Sequence, residues 1–177
     1  MPAADAGAGA GAAPPGDGAT QVAGDGAAIE PGPSDVLLIE STPSGARLFV
    51  DGAEEGVTPA RLPASADHHS IALTMPGYDL YRATDVAGAG VHRATLVEVT
   101  PPGGPAGIKV KCKEKNRYYV FVDGKPTGEL CPTERIGVDV GDHTVEVYDL
   151  VTEEKREYPA KVKGTRISLR VRVDEGG

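Results

Sequence analysis

Phe49-Val50-Asp51-Gly52 recurs in this chain as Phe121-Val122-Asp123-Gly124, and five positions after each Asp stands a further glycine, Gly56 and Gly128. Ala46, Leu48 and Val50 alternate with other residues up to the first Asp-Gly, and Tyr118, Val120 and Val122 do so up to the second. A period of two ending in Asp-Gly predicts a half-buried strand closed by a tight turn, because Gly tolerates positive φ and Asp caps its own turn. Upstream of the first copy, Leu37, Ile39 and Ser41 share one face. Thr42-Pro43-Ser44-Gly45 is turn chemistry, so the two runs read as a β-hairpin. Gly52 and Gly124 are assigned with Asp51 and Asp123 as structural turn residues.

Working outward, the order of features repeats. Thr58-Pro59 is matched by Cys131-Pro132, and His69 before Ile71 and Leu73 by His143 before Val145 and Val147. A final strand at 91–99 is matched by one at 166–173. No segment carries convincing helical periodicity. Repetition in register predicts an all-β chain of two small antiparallel β-sandwich-like domains in tandem. The expected limits are 35–100 and 108–173, joined by a Pro/Gly linker at 101–107 and followed by a tail at 174–177.

Residues 1–34 hold 11 Ala, 8 Gly and 5 Pro, too little large apolar surface to offset chain entropy, and are predicted to be a disordered linker. No signal peptide or membrane span is visible, and a linker at the start suggests that the chain is the tail of something larger. Residues 1–107 carry 13 acids against 4 bases, whereas 108–177 carry 13 against 14. With an overall net charge of −8 the chain is not expected to bind nucleic acid, which runs on phosphate neutralisation.

Ile39-Glu40-Ser41-Thr42-Pro43-Ser44-Gly45-Ala46, then Leu48-Phe49-Val50-Asp51-Gly52, Gly56-Val57-Thr58-Pro59 and Gly77-Tyr78 together resemble the PEGA domain across residues 36–100. Residues 108–173 look like a divergent second copy that keeps the Asp-Gly turn and Gly128 but lacks the Pro-x-Gly-Ala turn and the Gly-Tyr pair. The resemblance implies a small non-catalytic all-β module of bacterial envelope or surface proteins, found also beside serine/threonine kinases. It carries over no ligand and no catalytic residue.

Aligning the copies puts Cys112 opposite Ser41 and Cys131 opposite Thr58. If the first pair are neighbours, the cysteines are too, and a disulfide follows, with an oxidising compartment; two reduced core cysteines are the alternative. Lys109, Lys111 and Lys113 share one strand face and Arg166, Arg170 and Arg172 another, a candidate anion-binding face. The alternative is a solvated face balanced by cross-strand acids such as Glu146. Phe49, Tyr119 and Phe121 lie out of phase with the inward residues and are read as covering the second face of their sheet. Asp51, Glu54, Glu55 and Asp123 lack the spacing of a calcium loop, and no metal or other cofactor is expected. No nucleophile, base and acid show a local signature of catalysis.

The expected function is a non-catalytic tandem β-module for binding or spacing in the bacterial envelope, outside the cytoplasm. Its expected partner is an anionic envelope polymer or a protein, with no direct membrane insertion. The alternatives are the accessory or sensory region of a membrane-bound kinase, a glycan-processing enzyme and, because no signal peptide is seen, a cytoplasmic location.

Overall fold

The computed structural model describes residues 35–174; the leader at 1–34 and the last three residues lie outside the described residues. Every regular element among the described residues is a strand. The first seven are β1 (Val36–Thr42), β2 (Arg47–Val50), β3 (Ala53–Val57), β4 (Ala60–Pro63), β5 (His68–Thr74), β6 (Tyr81–Ala87) and β7 (Gly90–Thr95). They form two sheets, ordered β4-β1-β7 and β3-β2-β5-β6. Leu37 and Ile39 from one sheet meet Leu48, Val50, Ile71 and Leu73 from the other in a buried core.

The next seven are β8 (Ala106–Lys111), β9 (Tyr118–Val122), β10 (Lys125–Leu130), β11 (Ile136–Val138), β12 (Gly141–Asp149), β13 (Lys155–Val162) and β14 (Leu169–Arg172). Their sheets, β11-β8-β14 and β10-β9-β12-β13, repeat the first pair strand for strand. In both halves the first and last strands pair in parallel while the other neighbours run antiparallel. Ile108, Val110, Val120, Val122, Val145 and Val147 anchor the second core.

The expected hairpin at 36–50 is not formed. β1 pairs with β4 and β7, and β2 with β3 and β5, so the turn at 43–46 carries the chain from one sheet to the other. Pro43 has no N–H to extend a ladder. Gly45 (φ 91°) donates to the Thr58 carbonyl at 2.8 Å, which aims β2 across the core. The last strands are also shorter than expected, ending at Thr95 in one half and starting at Leu169 in the other.

The central strands of the four-stranded sheets carry buried residues on both faces, while edge strand β3 is exposed throughout. Phe49, Ala72 and Leu80 of the first half pack against Tyr119, Tyr148, Leu150, Phe121 and Leu130 of the second. The out-of-phase aromatics thus cover the outer face of their sheets, and what covers them in turn is the other half of the chain. Backbones meet where two glycines abut: the Gly77 N–H donates to the Gly128 carbonyl at 2.9 Å. A Cβ on Gly128 would stand 2.9 Å from the Gly77 Cα, so only glycine fits without a shift. The Tyr119 hydroxyl donates to the Tyr78 carbonyl at 2.8 Å and accepts from the Gly128 N–H at 3.1 Å. Burial holds that phenol protonated, far above its ordinary range, which keeps it a donor. Arg82 of the first half lies over the Tyr148 ring of the second, 4.7 Å from its centroid.

Candidate functional site

The repeated Asp-Gly turn is an Asp–His clamp. Asp51 (φ 49°) accepts the Ser70 N–H at 2.8 Å and faces His69 Nδ1 at 2.6 Å. Asp123 (φ 51°) accepts the Thr144 N–H at 2.8 Å and faces His143 Nδ1 at 2.7 Å. Each carboxylate therefore ties its turn to the neighbouring strand, and Glu54 is taken by Arg47 at 2.8 Å. Hydrogen bonding from His69, then from the Ser70 backbone, holds Asp51 below the usual carboxylate range. At Asp123 burial pushes upward, and the bonds from His143 and Thr144 outweigh it.

His143 has acceptors on both ring nitrogens, because Nε2 faces the Asp139 carbonyl at 3.0 Å. Two acceptors favour the doubly protonated ring, and its pKa is raised, chiefly by the Asp123 hydrogen bond. A raised histidine stabilises the fold fully below its unfolded value and loses that contribution as pH rises through the folded one. Asp123, held low, contributes above its unfolded value and loses it in acid. Between about pH 6 and 8 the native chain should thus lose about 0.5–1 kcal/mol relative to His143→Gln, a modest figure because Asp123 is half exposed. Urea midpoints of the two proteins that run parallel across this range would remove the clamp from the pH response.

Ser41 and Thr58 are in contact, oxygen to oxygen 2.5 Å apart, and Thr58 Oγ1 also accepts the Ala46 N–H at 3.1 Å. At the same place in the second half, Cys112 and Cys131 are joined by a disulfide, with Cα atoms 6.1 Å apart. A polar pair that pins the sheet crossover in one half is thus a covalent one in the other. Thr133 supplies the hydroxyl near it, accepting from the Val110 N–H at 3.0 Å.

The basic candidates separate into two groups. β8 and β14 lie side by side, with Arg170 beside Lys109 and Arg172 beside Lys111, alternating with the core residues Ile108, Val110 and Val171. These four cations share the outer face of the β11-β8-β14 sheet, and none of them has an ion-pair partner among the described residues. Lys113 and Arg166 are not on that face: β8 ends at Lys111, and Arg166 lies in the β13–β14 loop. Nor is Glu146 a cross-strand balance for it, since it sits in the other sheet, buried and paired with Lys155. Sequence reasoning missed Arg135, which precedes β11 and runs across Gly107 to donate to the Pro105 and Ala106 carbonyls at 2.6 and 2.7 Å. Gly107 is its signal, because a Cβ there would lie 2.6 Å from Arg135 Nε.

The first half supplies an internal comparison. The positions equivalent to Lys109, Arg170, Lys111 and Arg172 are Leu38, Val91, Glu40 and Arg93. There one cross-strand pair is apolar and the other is an ion pair at 2.9 Å. Like charges side by side on a sheet are unfavourable, so the second half carries a cost at this face that the first avoids.

The fold defines a small two-layer all-β module. Residues 34–95 match the family model described as PEGA domain, so over that stretch the chain is similar to this family. PEGA domains are non-catalytic modules of extracellular type. No curated protein and no solved structure gives a significant match to the chain.

Proposed function

We propose that this chain is a non-catalytic binding and spacing module of the bacterial envelope, working outside the cytoplasm, whose second half holds an anionic polymer on the β11-β8-β14 face. The observation that carries the reading is the quartet Lys109, Lys111, Arg170 and Arg172, three exposed cations and the half-buried Lys109 in like-charged neighbouring pairs with no acidic partner among the described residues. A polyanion relieves their repulsion, which an acid in the sheet would otherwise do, as Glu40 does for Arg93. The Cys112–Cys131 disulfide supports an oxidising compartment. The repeated strand order, Asp–His clamp and crossover link support residues 108–173 as a second, divergent PEGA copy joined through 101–107 to the first at 35–100.

Lys111→Glu tests the reading, because the first half already shows that a Glu at this register is compatible with the fold. The variant should melt at or above the native temperature yet bind dextran sulfate about tenfold more weakly, since one attraction becomes a repulsion. Binding by the native chain should also weaken as salt rises. Salt-independent binding, or a variant that binds as well as the native chain, would return the face to a merely solvated one.

A further inference from the structure

The two sandwiches differ most at one connection. β6 reaches β7 through two residues, Gly88 and Ala89, whereas β13 reaches β14 through six, residues 163–168. The shorter link closes the same topology, so the longer loop is not needed to complete the fold. Loops that exceed what a scaffold requires are where binding residues concentrate. This loop carries Lys163, Arg166 and Ile167, and Ile167 is 83 % exposed, the most of any large hydrophobic side chain among the described residues.

The loop also frames an open groove of about 790 Å³. Its volume lies within the range that holds small ligands. Four exposed cations line it: Lys161, Lys163, Arg166 and Arg170. Among the described residues, only Lys161 of these is ion-paired with an acid, Asp142 at 3.3 Å. Between the cations lie Val162, Ile167 and Leu169, and the first and last of these belong to the edge of the second core. Cations interspersed with apolar side chains match one chemical class: an anionic group carried on an apolar body.

We propose that the β13–β14 loop forms a binding site for an amphipathic anion, a phosphate, sulfate or carboxylate attached to an alkyl or isoprenoid chain. The charged head meets Arg166, Lys163 and Arg170, and the apolar part lies along Ile167 and Leu169. The site shares Arg170 with the basic sheet face but otherwise stands apart from it, and it does not rest on polymer binding there.

The full chain titrated with decyl phosphate, kept monomeric, gives the test, with inorganic phosphate and uncharged decyl maltoside as controls. Decyl phosphate should bind at least about tenfold more tightly than either control, since both the charge and the apolar chain contribute. Arg166→Ala and Ile167→Ser should each weaken it by about tenfold without moving the melting temperature, because both side chains are exposed. Shortening the loop to the two-residue length of the first sandwich should abolish it. Lys111→Glu should leave it unchanged, which separates this site from the sheet face. Equal binding of inorganic phosphate, or no binding of decyl phosphate, would overturn the proposal. So would point variants without effect, or binding to phosphatidylglycerol vesicles but not to monomeric decyl phosphate, which would make the loop a membrane contact instead.

Discussion

Asp149→Ala should destabilise the second sandwich by about 3–5 kcal/mol, the largest loss expected from a single substitution here. Asp149 is fully buried at the end of β12. Arg117 grips its carboxylate with two bonds, Nε to Oδ1 at 2.9 Å and Nη2 to Oδ2 at 2.8 Å. The Val151 and Thr152 N–H groups donate to Oδ1 as well. The residue therefore sets the β12–β13 turn and ties it to the chain entering β9. Burial pushes this carboxyl up, and the Arg117 bonds with the two amides more than reverse that, leaving its pKa below the usual value. Truncation strands a guanidinium whose remaining acid is Glu114, 2.5 Å away. Asp149→Asn keeps an acceptor for the turn amides and should cost less than the alanine change. A carboxylate held low stabilises the fold above its unfolded pKa and loses that contribution as pH falls through the folded one. The gap between native protein and Asp149→Asn in urea should accordingly narrow in acid. A loss under about 1 kcal/mol for Asp149→Ala would show that the turn closes without this pair.

Reduction of Cys112–Cys131 should cost about 3 kcal/mol, from the chain-entropy expectation for a link across 19 residues. For a domain of this size that is a fall of about 12–24 °C in melting temperature, at 4–8 °C per kcal/mol. The first half suggests the best replacement. Cys112→Ser with Cys131→Thr rebuilds the Ser41–Thr58 pair and should recover about 1 kcal/mol over a double alanine variant, the worth of one satisfied buried hydrogen bond. A scan with and without reductant, and of both double variants, measures this. An unchanged melting temperature on reduction would mean that the link adds nothing to the native state. Thiol titration of the denatured, unreduced protein should find no free thiol.

Legibility followed the range of the interaction. Alternation at Leu37–Ile39, Ala46–Val50 and Tyr118–Val122 is set by each strand's own neighbours, and it located strands and core residues directly. The Asp-Gly turns were legible for the same reason, although their histidine partners, about 20 positions away, were not read as partners. Period two says that a segment is a strand, not which strand it pairs with, so β1 and β2 were assigned to one hairpin when they face each other across a core. Phe49, Tyr119 and Phe121 announced a second buried face by their phase, but nothing local names the surface that buries it. Asp149 gave a weak signal, an acid between Tyr148 and Leu150, that its apolar setting makes visible only in hindsight. The basic residues were grouped by sequence alternation, which continued past the ends of the strands and so took in Lys113 and Arg166.

The parallel pairing of first and last strands has a mechanical consequence. A chain that enters through β1 and leaves through β7 enters and leaves at opposite ends of one strand pair. Tension on its two ends drags these neighbours past each other along their length. All six ladder positions between them then bear the load at once, where a terminal antiparallel pair would unzip one rung at a time. β8 and β14 repeat the arrangement with four positions, and the disulfide takes the chain between residues 112 and 131 out of the extensible length. Under pulling force each sandwich behaves as a shear clamp, so the pair keeps its span in a setting where a hinged or hairpin-ended spacer would stretch.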